Sequence, residues 1–319
     1  MSDAPRQPAA PETDAIQQAL DRIYMQCNTP TVDGHIYATT ERAGHNRDTF
    51  AIAIVTTEGK IYSAGAVEEQ FALQSISKVF SYGLALEDHG RDRVLEKVGV
   101  EPTGQRYNAI NLHQSTGRPY NPMVNAGALA IADLIKGADI TERLNRIIAA
   151  FSKYAGRRLL VDAPTFTFEF DTDHRNRAIA HLMAGQGVLE GKIDDVLYLY
   201  LQHCSLLVNT VELAAMAATF ANSGVQPLTG ERAIGMEHVR DVLSVMNSSG
   251  MYDSSGEWGY KVGLPAKSGV SGGIMAVVPG RMGIATFSPV LGEVGHSIRG
   301  VMAFESLSED MNLHIFDCC

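Results

Sequence analysis

A hydroxyl and an amine stand three residues apart in Gln74-Ser75-Ile76-Ser77-Lys78. On a helix that spacing puts both side chains on one face, within reach of each other. A serine hydroxyl is a poor nucleophile until a base takes its proton. Lysine is such a base only when its amine is neutral, and burial or nearby positive charge lowers its pKa toward that state. A helix N-terminus adds free N–H groups and partial positive charge, which suit a developing oxyanion. The pair therefore points to nucleophilic acyl transfer. The same tetrapeptide also fits an N-cap serine followed by a solvated lysine, so its context has to decide.

Elements that could position the pair follow from apolar spacing. Phe50 to Val55 and Ile61 to Ala66 are short apolar runs joined by Glu58-Gly59-Lys60, which predicts two antiparallel strands. Ser75 to Asp88 predicts a helix, stopped at His89-Gly90 with glycine as a left-handed cap. Helical spacing recurs over Ala15 to Tyr24, Val124 to Lys136, Asp139 to Tyr154, Arg175 to Ala184, Ile193 to Cys204, Thr210 to Asn222 and Ala233 to Ser248. Strand character returns at Ala266 to Val270, Gly273 to Val278 and Gly283 to Ser288, before a closing helix from about His296 to Met311. Strands at both chain ends imply one antiparallel sheet built from both, flanked by helices, with the helical middle inserted as a lobe: an α/β chain of the α+β type. Residues 1–13, rich in proline and alanine, are expected to form a disordered lead-in. Residues 14–319 form one catalytic domain in this scheme, with a helical lobe at about 90–225 set into a sheet-containing lobe at about 14–89 and 226–319. A pocket is expected where the lobes meet.

Lys267-Ser268-Gly269 lies on the first strand of the C-terminal set. A basic-hydroxyl-glycine strand facing a Ser-x-x-Lys helix lines the pocket in penicillin-recognising serine enzymes. Longer segments make the resemblance specific. Phe71-Ala72-Leu73-Gln74-Ser75-Ile76-Ser77-Lys78-Val79-Phe80, Val100-Glu101-Pro102-Thr103-Gly104, Asn121-Pro122-Met123-Val124-Asn125-Ala126-Gly127-Ala128, Gly250-Met251-Tyr252-Asp253 and the run Gly263 to Gly273 occur in order. Over about Asp33 to Leu307 the chain resembles the serine-dependent glutaminase family, whose fold is that of the serine β-lactamases and penicillin-binding proteins.

The resemblance implies site residues. Ser75 matches the nucleophile, Lys78 its base and Tyr252 a tyrosine near both. Gln74, Ser75, Asn125, Glu169, Asn176, Tyr200, Tyr252 and Val270 match positions that hold substrate, Val270 through its backbone at the oxyanion. Tyr37 stands where the family carries a tyrosine, although its segment Gly34 to Glu41 lacks the usual proline. The surroundings of Glu169 also depart from the pattern, with Asp171, Asp173 and His174 placed to tune the pocket entrance. These types suit L-glutamine: Glu169 can pair with its ammonium, while Asn125, Asn176 and a tyrosine hydroxyl bond its zwitterion. A homodimer or homotetramer is implied by the resemblance alone. Two rivals stay open at this point: a β-lactam-directed enzyme on the same fold, and a catalytically silent binding protein.

Composition narrows the remaining classes. A net charge of −10 over 319 residues argues against a nucleic-acid partner, which needs a basic surface. No uncharged apolar stretch is long enough to span a membrane, and the N-terminus lacks the order of a secretory signal. Cys27, Cys204, Cys318 and Cys319 form no Cys-x-x-Cys pair, which fits a reducing cytoplasm. Histidines and cysteines show no metal-ligand spacing, and the hydrolysis expected here needs no cofactor.

Overall fold

The computed structural model describes residues 12–29, 31–104 and 112–317. The strands are β1 (His35–Ile36), β2 (Ala51–Thr56), β3 (Ile61–Gly65), β4 (Phe71–Ala72), β5 (Leu207–Val208), β6 (Ala266–Ser268), β7 (Gly273–Val278), β8 (Met282–Phe287) and β9 (Val290–Leu291). The helices are α1 (Glu12–Asn28), α2 (Ala38–Arg42), α3 (Ser77–Lys97), α4 (Asn125–Leu134), α5 (Ile140–Ala155), α6 (Ala163–Thr172), α7 (His174–Gly185), α8 (Ile193–Cys204), α9 (Thr210–Ala221), α10 (Met236–Ser249), α11 (Ser255–Lys261) and α12 (Ile298–Asp310).

Five strands form an antiparallel sheet in the order β3-β2-β8-β7-β6. Both chain ends contribute, as the apolar runs require. Strands β2, β7 and β8 are buried at every position, because both faces of the sheet are covered. Side chains alternate between the faces. Val55, Met275 and Phe287 join the core shared with the middle helices, while Ile54, Ile274 and Ile284 join a second core with α1 and α12. On the first face α9 lies directly against β8. A Cβ on Gly283 would stand 2.1 Å from Ala218 N and 2.3 Å from Ala214 O, so only glycine permits that approach.

A small strand pairing and a ring stack hold the segment before Ser75 in place. Strand β4 pairs with β5, and Leu73 N donates to Leu206 O at 2.9 Å. The ring of Phe71 stacks on Phe287 with centroids 4.2 Å apart. The chain then turns through a 3₁₀ segment, Gln74–Ile76, into α3.

Several boundaries shift from those expected. Ser75 sits in the 3₁₀ turn, and the α-helix starts at Ser77. Gly90 takes φ 73°, ψ 168°, a glycine conformation but not the left-handed cap; the helical path breaks there and resumes to Lys97. Of the expected lead-in, 1–13, residues 1–11 lie outside the described residues, whereas Glu12 and Thr13 already belong to α1. Cys318 and Cys319 also lie outside them.

Candidate active site

Ser75 is held by a strained turn. Gln74 has φ 49°, a left-handed value rare for a residue with a side chain. The turn is pinned from within, since the Ser77 hydroxyl donates to Gln74 O at 2.5 Å. His203 Nδ1 bonds the same hydroxyl at 2.8 Å, and burial drives the pKa of His203 down to about 3. The imidazole behind Ser75 is therefore neutral.

Lys78 is fully buried one helical turn on, and its Nζ donates to Ser75 Oγ at 3.0 Å and to Asn125 Oδ1 at 2.6 Å. Asn125 starts α4, and its Nδ2 donates to Asn176 Oδ1 at 2.9 Å. Asn176 N in turn donates to Asp173 Oδ1 at 3.0 Å, where Asp173 caps α7, and Asn176 Nδ2 donates to the other carboxylate oxygen. A continuous polar chain thus runs from the Asp173 carboxylate to the Ser75 hydroxyl. Burial lowers the pKa of Lys78 to about 8, opposed by the negative potential of Cys204 and Asp173. Tyr200 OH donates to Asn125 Oδ1 at 3.4 Å.

The facing wall is strand β6 and the turn after it. A Cβ on Gly269 would stand 2.8 Å from Leu73 O and 3.5 Å from Gln74 Cβ. The small residue of Lys267-Ser268-Gly269 lets the strand close on the turn that carries Ser75. Gly269 N donates to Gly273 O and Gly272 N to Gly269 O; Val270, between them, lines the pocket. Lys267 is fully buried, donates to Ser268 O at 2.7 Å, and lies 3.8 Å from the Tyr252 ring centroid. Burial, then the charge of Lys78, holds its pKa well below the usual lysine range. Tyr252 also has a left-handed backbone, φ 54°. Its ring lies 5.8 Å from Lys78 Nζ, and the Tyr200 ring 5.9 Å from the same atom.

In front of Ser75 a pocket of about 180 Å³ opens, lined by Tyr37, Gln74, Ser75, Asn125, Glu169, Asp173, Arg175, Asn176, Tyr200, Leu201, Cys204 and Val270. It gathers eight of the nine residues expected to bind substrate, Tyr37 among them. Tyr252 is not in its lining and stands behind, against the two lysines. Glu169, on α6, is 8% exposed. Gln74 Nε2 donates to its Oε1 at 3.2 Å and Tyr37 OH to its Oε2 at 3.5 Å. Among the described residues no cation lies within ion-pairing distance of it. Burial raises its pKa, and the nearby Asp173 adds to the rise against the two hydrogen bonds. Of the three atypical residues near it, Asp173 reaches the pocket, while Asp171 and His174 do not line it. Arg175, Leu201 and Cys204 were not anticipated. Cys204 lies one helical turn beyond Tyr200 on α8, a spacing that would have placed it on the same face.

Comparison with known proteins agrees with the geometry. The Glutaminase family model matches residues 39–316. A glutaminase of Nostoc sp. (strain PCC 7120) is 57% identical over 278 residues, 87% of this chain and 83% of that protein. A solved structure described as the probable glutaminase ybaS superposes with a TM-score of 0.92 at 41% identity, covering 95% of this chain and 99% of that one. Mglu in its glutamate form gives a TM-score of 0.90 at 41% identity, covering 95% and 70%.

Proposed function

Because the chain belongs to the glutaminase family, we propose that it hydrolyses the side-chain amide of L-glutamine to L-glutamate and ammonia through an acyl-enzyme on Ser75. The observation that carries this reading is the buried contact of Lys78 Nζ with Ser75 Oγ, at 3.0 Å, opening on a pocket whose buried carboxylate, Glu169, has no cation within ion-pairing distance among the described residues.

Lys78 in its neutral form keeps its bond to Asn125 and turns its lone pair to the Ser75 hydroxyl. With a pKa of about 8, roughly a tenth of the amine is neutral at pH 7. Ser75 Oγ attacks the amide carbon as its proton passes to Lys78, directly or through Tyr252. The oxyanion accepts hydrogen bonds from the backbone N–H groups of Ser75 and Val270. Lys78 returns the proton to the leaving nitrogen, the C–N bond breaks, and ammonia departs, leaving a γ-glutamyl ester. Water then attacks the ester with Lys78 as base, and glutamate leaves with Ser75 restored. Glu169 takes the substrate ammonium, while Gln74, Asn125, Asn176, Tyr200 and Tyr37 bond the rest of the zwitterion.

The fold is that of the serine β-lactamases in this reading, supported by the antiparallel sheet and by Lys267-Ser268-Gly269 closing on Ser75. It forms one domain, with the lobe at about 90–225 inserted into the sheet-containing lobe. Assembly as a homodimer or homotetramer and a cytoplasmic location complete the proposal; no helix among the described residues is long and apolar enough to cross a membrane. A coupled glutamate assay with glutamine, asparagine and γ-glutamyl amides, beside nitrocefin turnover, tests the substrate. Ammonia release from glutamine far above the other amides, with nitrocefin untouched, is expected. Nitrocefin turnover without glutamine turnover would replace this reading with the β-lactam one, and tight glutamine binding without hydrolysis would replace it with a silent binding protein.

A further inference from the structure

Behind Ser75 lies an imidazole that the proposed reaction does not use. His203, near the end of α8, is fully buried between rings. The centroid of Phe151 lies 5.9 Å away, and that of Tyr200 5.3 Å away with the planes at 89°. Its Nδ1 lies 2.8 Å from Ser77 Oγ. The Ser77 hydrogen is already committed, because Oγ lies 2.5 Å from Gln74 O and a carbonyl oxygen can only accept. The hydrogen between Ser77 and His203 therefore sits on Nδ1. Cys204 Sγ, 4.0 Å from Nδ1 and 3.5 Å from Ser77 Oγ, is the weaker partner of both. A neutral imidazole carries one N–H, so Nε2 is a bare acceptor. Nε2 has no hydrogen-bond partner among the described residues. A buried acceptor left unpaired is costly, and leucine would fill this space without that cost. What only the imidazole supplies is the N–H at Nδ1.

The hydrogens thus run in one direction, from His203 Nδ1 to Ser77 Oγ and from Ser77 Oγ to Gln74 O. That carbonyl belongs to the peptide unit that carries the Ser75 N–H. The unit is planar and trans, so its C=O and N–H point in opposite directions. Holding the carbonyl toward Ser77 aims the N–H away from it. Gln74 needs such a hold, since its φ of 49° persists only where the surroundings fix it. A bond to the carbonyl also polarises the amide and strengthens its N–H as a donor. We propose that His203 is a positioning residue for acyl transfer: through Ser77 Oγ and the Gln74 carbonyl, its Nδ1–H aims the Ser75 N–H at the oxyanion. This role rests on the acyl-enzyme reading at Ser75. The charge on that oxygen develops in the transition state, so losing the aim lowers kcat and spares KM.

Ser77→Ala and His203→Leu should each lower kcat for glutamine about 10–100-fold, less than outright loss of an oxyanion donor, with KM within about threefold of wild type. Both act through one chain, so the double variant should fall no further than the worse single, whereas independent losses would multiply. His203→Asn, whose amide can set an N–H where Nδ1 stood, should return kcat to within about fivefold of wild type. Turnover is counted per folded molecule, from melting curves, so that a variant that fails to fold is not read as inactive. The order of the hydrogens is checked on the wild-type chain, whatever the variants do. Nitrogen NMR of protein with isotope-labelled histidine, the His203 signals being those lost in His203→Asn, should show Nδ1 protonated and Nε2 bare near neutral pH. The opposite tautomer, multiplied losses in the double variant, a loss confined to KM, or a wild-type kcat in Ser77→Ala would each overturn the proposal. Ser75→Ala separates it from the reading beneath it. Wild-type turnover in Ser75→Ala would sink that reading, whereas an inactive Ser75→Ala beside an unimpaired Ser77→Ala would sink the role of His203 alone.

Discussion

Ser75 divides two neighbourhoods that bury charge for opposite ends. Behind it stand Lys78 and Lys267, both fully buried, with Tyr252 and the neutral His203. Ahead of it stands Glu169, nearly as buried, with Gln74 and Tyr37. The same desolvation pushes each group toward its neutral form: the lysines down, the carboxylate up. In the proposed mechanism a neutral amine is the working state behind the serine, because only it can take a proton. Ahead of the serine the proposed reading needs the carboxylate, restored when a substrate ammonium comes to pair with it. In that reading, the same burial serves a base on one side and a site for a substrate cation on the other. The two buried lysines sharpen the point. Only Lys78 touches a hydroxyl in the pocket; Lys267 spends its bond on Ser268 O and its charge on the Tyr252 ring.

The largest expected effect removes the boundary itself. Ser75→Ala should lower ammonia release from glutamine by at least about 10³-fold, with the melting temperature little changed. Wild-type turnover in this variant would contradict the assignment. Behind the serine, Lys78→Met should cost about 10²–10⁴-fold in kcat. The pH dependence carries a sign: the base works when deprotonated, so kcat/KM should rise about tenfold per pH unit below 8 and level off above it. A flat profile between pH 6 and 9 would remove Lys78 as the base. Ahead of the serine, Glu169→Gln should raise KM for glutamine about 10–100-fold with a smaller change in kcat, the pattern of a lost ion pair to bound substrate. A fall confined to kcat would mean that the two sides are not separate. The smallest effect belongs to Tyr37→Phe. Its bond to Glu169 is long, at 3.5 Å, so KM should rise only about 2–5-fold.

Much of this division was legible in the sequence. Apolar runs such as Gly273–Val278 and helical spacing such as Ile193–Cys204 gave their elements without adjustment, because both are bounded by turn residues. The segment Thr165-Phe166-Thr167-Phe168-Glu169-Phe170 misleads by its period. Aromatic and polar residues alternate as in a strand, yet it lies in α6. The Asp162 side chain accepts from Thr165 N, and Pro164 sits in the first turn; capping outweighs the alternation. The serine and lysine were legible by type and spacing. Their surroundings were less so, because Lys267 over Tyr252 joins residues 15 apart, and the bond chain from Asp173 reaches Lys78 only through contacts 51 and 47 residues apart in sequence.

The most direct test of the central claim is to catch the ester. Wild-type protein mixed with glutamine and quenched in acid within the first turnovers is digested and weighed by mass spectrometry. The account predicts a glutamyl increment on the peptide containing Ser75, absent from Ser75→Ala and stronger where deacylation is slowed. Steady release of ammonia with no such increment on Ser75, or with the increment on another residue, would contradict it.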